Sequence, residues 1–239
     1  MSRVDNRVER IREAEKSSHK KFYKEHPIFE KGTWLEHPVS SVVDIWDLFC
    51  DKKEFRALDL GCGVGRNCIP MAKKFSDISC RIDCVDLLPE AIRILKENAL
   101  KTGADGLYPF VSTIEEYVIE KNSYDFIMSV SALEHVADWT HLLIKLEEIK
   151  EGIRDEGVAC LIMNSQIQER DVVTGEFRDP QFELNMSTEV LEDTLSHIFG
   201  GWKKLKHTTT TQTYQIDREN GDTELTTRVL TWIVQRKDS

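Results

Sequence analysis

Three glycines at alternate positions, Gly61, Gly63 and Gly65, close the apolar run of "ALDLGCGVGRN" (57–67), with Asp59 just ahead of them. Glycine tolerates positive φ and lets backbone approach a ligand closely, so the loop suits a nucleotide-like molecule. A plain strand-to-helix turn has the same look. The dinucleotide fingerprint G-x-G-x-x-G/A needs a small third residue; from Gly61 that place falls on Arg66, which removes the nicotinamide and flavin reading. Downstream, "CVDLLPEA" ends a second apolar run at Asp86. An acid at such a strand tip can accept hydrogen bonds from both hydroxyls of a ribose, and it can also cap the helix that follows. Loop and acid together favour nucleoside binding. Further on, "SALEHV" offers Glu134 and His135. Either can act as a base or orient an acceptor, or simply start a helix through backbone bonds.

The elements that must hold these residues alternate in type. "FRALDL", "CRIDCVDL", "LYPFVS", "YDFIMSVSAL" and "GVACLIMN" read as strands. "RNCIPMAKKF", "LPEAIRILKENALKTG", "TIEEYVIEK" and "ADWTHLLIKLEEIKEGI" read as the helices between them, the second opened by Pro89 and closed by Gly103. This alternation predicts a parallel sheet with helices on both faces. The last third differs. "TEVLEDTLSHIF" is a helix with Ser187 or Thr188 as cap; "WKKLKHTTTTQTYQI" and "TELTTRVLTWIVQRK" are strand-like, joined by a hairpin turn at Asn220–Gly221. At the other end, residues 3–25 form a polar helix with Val4, Val8 and Ile11 as a thin apolar stripe. "HPIFEKGTWLEHPVSS" breaks it, and "SSVVDIWDLFC" resumes helical spacing behind a Ser40 or Ser41 cap.

A chain of 239 residues fits one domain of ordinary size. Its formal net charge of -10 is a poor match for phosphate backbones and argues against nucleic acid as partner. Six cysteines form no C-x-x-C pair and read as reduced core thiols of a cytosolic protein. No apolar stretch reaches the ~20 residues of a membrane span, and no secretory leader is visible, so a cytoplasmic protein without membrane partner is expected. His26, His37 and His135 lack ligand spacing, so no metal is expected.

"ALDLGCGVGRN", "CVDLLPEAI" and "YDFIMSVSALEHV" resemble, in order and spacing, the signature segments of class I S-adenosylmethionine-dependent methyltransferases over roughly residues 55–165. The form "LDLGCGxGRN" is similar to the tellurite-resistance-type branch, which acts on small molecules. The resemblance implies a Rossmann-like, doubly wound α/β fold: a seven-stranded sheet, mostly parallel, ending in an antiparallel hairpin strand. It also implies S-adenosylmethionine as cofactor. Asp59, Gly61, Cys62, Gly63 and Gly65 would line its methionine part, Asp86 would hold the ribose, and Leu87 would pack on the adenine. Ser112, Thr113 and Ile114 stand where the third-strand tip meets the adenine, although the Asp often found there is missing. Ser129, Val130 and Ser131 would pass beneath the methionine. Arg66 and Asn67 would hold the cofactor carboxylate or merely start the helix.

Methyl transfer from a sulfonium is an in-line displacement in which the cofactor carries the reactivity, so few catalytic groups are needed; Glu134 and His135 are the candidates. The D/N-P-P-Y/F motif of nucleic-acid amino methylation is absent where "SALEHV" stands. The expected arrangement is an N-terminal helical cap over residues 1–50 and a methyltransferase domain over 51–239, acting on a small-molecule methyl acceptor. A protein or RNA acceptor, or a non-catalytic binding module, are the alternatives. Two segments read as lids or as plain packing. One is "FEKGTWLEHPV", where Trp34 and His37 would close over the cofactor. The other is "ERDVVTGEFRDPQFELN", where Glu169, Arg170, Phe182, Glu183 and Asn185 would face substrate.

Overall fold

A strand apolar on both faces must lie in the middle of a covered sheet. "YDFIMSV" forms β4 (Tyr124–Val130), buried at every residue but the last. The computed structural model describes residues 3–216, 218 and 221–237. Around β4 lie β1 (Glu54–Leu60), β2 (Ser79–Asp86), β3 (Leu107–Val111), β5 (Ile153–Asp171), β7 (Lys203–Ile216) and β8 (Thr223–Gln235). Their order is β3-β2-β1-β4-β5-β8-β7, the seven strands expected, and the two-residue β6 (Phe177–Arg178) pairs off this path with β5. Strands β1 to β5 are parallel, whereas β8 runs antiparallel to β5 and β7 antiparallel to β8. The strand order reverses direction between β1 and β4, and ligands of such sheets bind beyond the strands' C-terminal ends at that point.

Two apolar layers hold the helices on. One contains Val42 of α2 (Ser40–Val43), Phe49 of a 3-10 turn (Trp46–Phe49), Met71 of α3 (Cys68–Lys74) and Leu95 of α4 (Pro89–Thr102). The other contains Leu146 of α5 (Trp139–Gly152) and Leu191 of α6 (Thr188–Ile198). Each fully buried side chain of this size contributes about 1.5–3 kcal/mol. Gly103 ends α4 at φ 64, and the Ser187 side chain caps α6 by accepting from Val190 N. The helix expected from the polar N-terminus is α1 (Arg3–Glu25). It rests on the buried Ile11 and touches α4.

Several expectations need correction. "TIEEYVIEK" forms turns, not a helix. Thr113 Oγ1 accepts from Glu116 N and closes a single turn, and the β-branched pair Val118–Ile119 disfavours its continuation as helix. Neither Ser40 nor Ser41 caps α2, because Val39 occupies the cap position without a side-chain bond. β5 runs on to Asp171, past a register shift between Ser165 and Gln168. Its polar second half, "SQIQERD", pairs with β8 and hides in the sequence because polar residues mask the alternation of buried and exposed positions. The proposed turn residue Asn220 and the side chain of Val4 lie outside the described residues. No helix among the described residues is long and apolar enough to cross a membrane. All six cysteines are free thiols, with Cys62, Cys68, Cys84 and Cys160 buried.

Candidate functional site

The chain leaves β1 and turns back over the tip of β2, where Gly61 N and Cys62 N both donate to Val85 O at 2.8 and 3.0 Å. This turn needs glycine. Gly61 has φ +81, and a Cβ on it would stand 2.3 Å from Ala132 Cβ. Gly65 has φ +100, and its Cβ would meet Ile69 Cδ1 at 2.6 Å. Asp86 joins loop and strand: its Oδ2 accepts from Gly63 N at 2.8 Å and its Oδ1 from Leu88 N at 2.9 Å. The cap position of α4 is Leu88, so Asp86 makes the turn before the helix while still facing the glycines. Burial pushes its carboxyl up.

Behind this cradle lie polar atoms without partners. Asp59 is 1% exposed and its Oδ2 has no hydrogen bond; burial, then the Asp86 charge, raises its carboxyl to about 7. Ser129 at the end of β4 is fully buried, and its Oγ is unpartnered. An unsatisfied buried polar atom costs about 1–3 kcal/mol, which a donor-bearing ligand would relieve. Leu87 is exposed beside Asp86, and Ile114 packs against the second apolar layer. Val130 is partly buried, and Ser131, at φ 50, donates its N–H to Ile162 O at 2.7 Å. Arg66 and Asn67 turn to the N-terminal segment. Arg66 Nε donates to His37 O at 2.7 Å, and Asn67 Oδ1 accepts from Val39 N at 3.0 Å. Trp34 stacks on Phe22 of α1 at 5.3 Å, and the Arg66 guanidinium lies over the Trp34 ring at 5.7 Å.

A second group forms around His135, in a 3-10 turn (Leu133–His135) after β4. Its Nδ1 lies 2.9 Å from Glu183 Oε2, its Nε2 3.3 Å from Glu15 Oε1, and its ring stacks on Phe182 at 5.0 Å. Burial alone would lower His135, but Glu15, Glu183 and Glu134 outweigh it and hold the imidazole at about 9. Glu134 is fully buried; its Oε1 takes both the N–H and the side-chain amide of Asn164, and burial pushes its carboxyl up. Of the five residues named in the 168–185 segment, Phe182 and Glu183 thus join His135. The other three are engaged elsewhere: Asn185 bonds Ile167 N and O, Glu169 pairs with Arg218, and Arg170 lies over Phe177.

The sequence reading missed the contribution of α1. Arg12, Glu15, His19 and Tyr23 recur at helical spacing on one face. The Tyr23 hydroxyl reaches within 3.1 Å of the place a Gly63 Cβ would take, and its proton is held well above the usual range by burial and by Asp86. Arg12 Nη2 bonds Glu115 Oε1 at 2.7 Å, and its Nε lies 3.5 Å from Glu183 Oε1. The visible signal is a polar and aromatic stripe beside the buried Ile11. Among the described residues, Glu15, His135 and Glu183 also bring one ligand atom each within 4.8 Å of the others. Here Arg12 supplies the cation and both imidazole nitrogens are engaged.

The His135 pair sets a pH window. Its folded pKa stands above the ordinary value near 6.5, so its stabilisation is complete below that value and is lost as pH rises through about 9. Thermal unfolding followed from pH 6 to beyond 9 should show the melting temperature falling across that upper range. A His135→Gln variant should flatten the fall; an equal fall in both would separate it from His135.

The fold has known counterparts. Residues 57–157 match the family described as "Methyltransferase domain". Ajmaline N-methyltransferase of Rauvolfia serpentina is 28% identical over 127 residues, 53% of this chain and 40% of that protein. Release factor glutamine methyltransferase of Dictyoglomus turgidum is 29% identical over 96 residues, 40% of this chain and 33% of that one. The matches thus span well under two thirds of either relative. Among solved structures, TehB from Haemophilus influenzae aligns with a TM-score of 0.64 at 18% identity, covering 92% of this chain and 67% of that one.

Proposed function

Because the chain belongs to the class I S-adenosylmethionine-dependent methyltransferases, we propose that it transfers the methyl group to a small molecule held between the glycine loop and α1. The cofactor supplies an activated methyl on a sulfonium. The residues present fit it. Gly61 and Gly65, where a Cβ would strike Ala132 and Ile69, keep the turn tight, and the orphaned Asp59 Oδ2 and Ser129 Oγ await donors. In this reading Asp86 holds the ribose, the loop from Asp59 to Gly65 lines the methionine part, and Leu87, Thr113 and Ile114 flank the adenine. Ser129, Val130 and Ser131 pass below it. Trp34 and residues 1–50 act as the cap, over a catalytic domain of 51–239.

One observation supports a small acceptor above all: α1 lies across the loops at the strand ends, with its Glu15 on His135, its Arg12 on Glu183 and its Tyr23 hydroxyl against Gly63. A site covered in this way limits water and suits a small molecule better than a polymer. His135, clamped between two carboxylates and holding its proton at neutral pH, positions Glu15 and Glu183 and does not serve as a free base. Incubation of the protein with methyl-labelled cofactor and a fractionated cell extract tests the reading. Label should enter the small-molecule fraction. Label confined to protein or RNA would overturn it.

A further inference from the structure

Three carboxylates from separate segments meet beside the cofactor cradle: Glu15 on α1, Glu115 after β3, and Glu183 in the loop before α6. Arg12 and His135 answer them, and His19 Nε2 lies 3.4 Å from Glu15 Oε1. The match is incomplete. Glu183 has a side chain with 0% exposure, yet its Oε1 accepts no hydrogen bond. Arg12 Nε faces it at 3.5 Å and is itself unpartnered. Glu115 is held in place from behind, since its Oε1 accepts from Ala137 N at 2.8 Å. A cavity of about 270 Å³ opens between α1 and the loop that leads to Glu183, lined by Arg10, Ile11, Asp179, Pro180 and Gln181. The Phe182 ring and Ile11 give the surroundings an apolar wall.

We propose that Glu115 and Glu183, with Glu15, form the recognition site for a small cationic acceptor carrying an ammonium or guanidinium group, and that Arg12 occupies this site until the acceptor enters. The proposal rests on the methyltransferase reading and adds the substrate class. A buried carboxylate with a bare oxygen is costly, and a planar, bidentate cation satisfies it best. Arg12 reaches in from α1 and pairs well with Glu115 alone. A free guanidinium or ammonium, not tied to a helix, can face both acids with good geometry. His135, fixed from both sides, orders Glu15 and Glu183 around the entering group.

Calorimetry on the full chain tests this, with butylguanidinium as probe and butylurea as its neutral isostere. S-adenosylmethionine is titrated first: no binding there removes the methyltransferase reading itself. With the cofactor bound, butylguanidinium should bind at least about tenfold more tightly than butylurea. Glu183→Gln and Glu115→Gln should each erase that difference while the cofactor still binds. Arg12→Ala should tighten butylguanidinium binding, because it vacates the acids; a purely structural Arg12 would leave it unchanged or weaker. Should Glu183→Gln fail to fold, the Glu115→Gln and Arg12→Ala arms decide. Equal affinity for the two probes, or weaker cation binding in Arg12→Ala, overturns the proposal. Acetylarginine amide, the same cation on a peptide unit, should bind no more tightly than butylguanidinium; tighter binding would move the acceptor to a protein side chain and overturn the small-molecule form.

Discussion

Asp86→Ala should lose S-adenosylmethionine affinity by at least on the order of 100-fold, with the protein still folded. The size follows from the bonds at stake. A carboxylate that accepts from two ribose hydroxyls makes two charge-assisted hydrogen bonds, each about 1.5–3 kcal/mol. In the present structure the same carboxylate holds Gly63 N and Leu88 N, at 2.8 and 2.9 Å. A carboxylate has about four acceptor sites on its two oxygens, so backbone and ribose need not compete. Removing it therefore loosens the glycine loop as well as the ribose. Asp86→Asn separates the two effects, since it keeps an oxygen for Leu88 N and loses the charge; an intermediate affinity is expected. Isothermal calorimetry reads both variants, with circular dichroism as the check on folding. Wild-type affinity in Asp86→Ala would remove Asp86 from the cofactor site.

That Asp86 and the glycines face each other was legible from the sequence, because a strand tip and a strand-to-helix loop are local features. The sheet was legible for the same reason: "YDFIMSV" can only be a strand covered on both faces. The acceptor side was not. Glu183 follows Phe182 in a stretch without periodicity, and nothing local says that its carboxylate meets His135, which lies 48 residues earlier. Glu15 and Arg12 sit in a helix whose charged residues look like a solvated face. Only the packing of α1 across the strand ends turns that face into part of the site. Asn185 shows the converse. Its segment reads equally as lid or as plain packing, and the packing is long-range: both ends of its amide pair with Ile167 backbone and lock the irregular turn of β5. Local pattern locates the cofactor loop; long-range contact locates the acceptor.

Gly61→Ala should be the most destabilising of the loop substitutions, by roughly 2–4 kcal/mol. Two costs add. At φ +81 an alanine is strained, and its Cβ would lie 2.3 Å from Ala132 Cβ. Gly103 separates them: it has φ +64, and an added Cβ meets nothing within 4 Å. Gly103→Ala therefore pays the conformational cost alone, about 1 kcal/mol. The difference between the two variants in denaturant unfolding measures the clash. Ala132 cannot yield without effect, because its carbonyl accepts from His135 N at 3.1 Å and fixes the turn that carries Glu134 and His135. A shift there reaches the acceptor side directly. Ala132→Gly removes the opposing methyl, so the pair Gly61→Ala with Ala132→Gly should recover part of the loss, a coupling of about 1–2 kcal/mol in a double-mutant cycle. Equal stabilities for Gly61→Ala and Gly103→Ala, with no rescue by Ala132→Gly, would mean that the loop and the turn after β4 are not in contact. If they are, cofactor cradle and acceptor clamp are one mechanical unit, joined where Gly61 leaves room for Ala132.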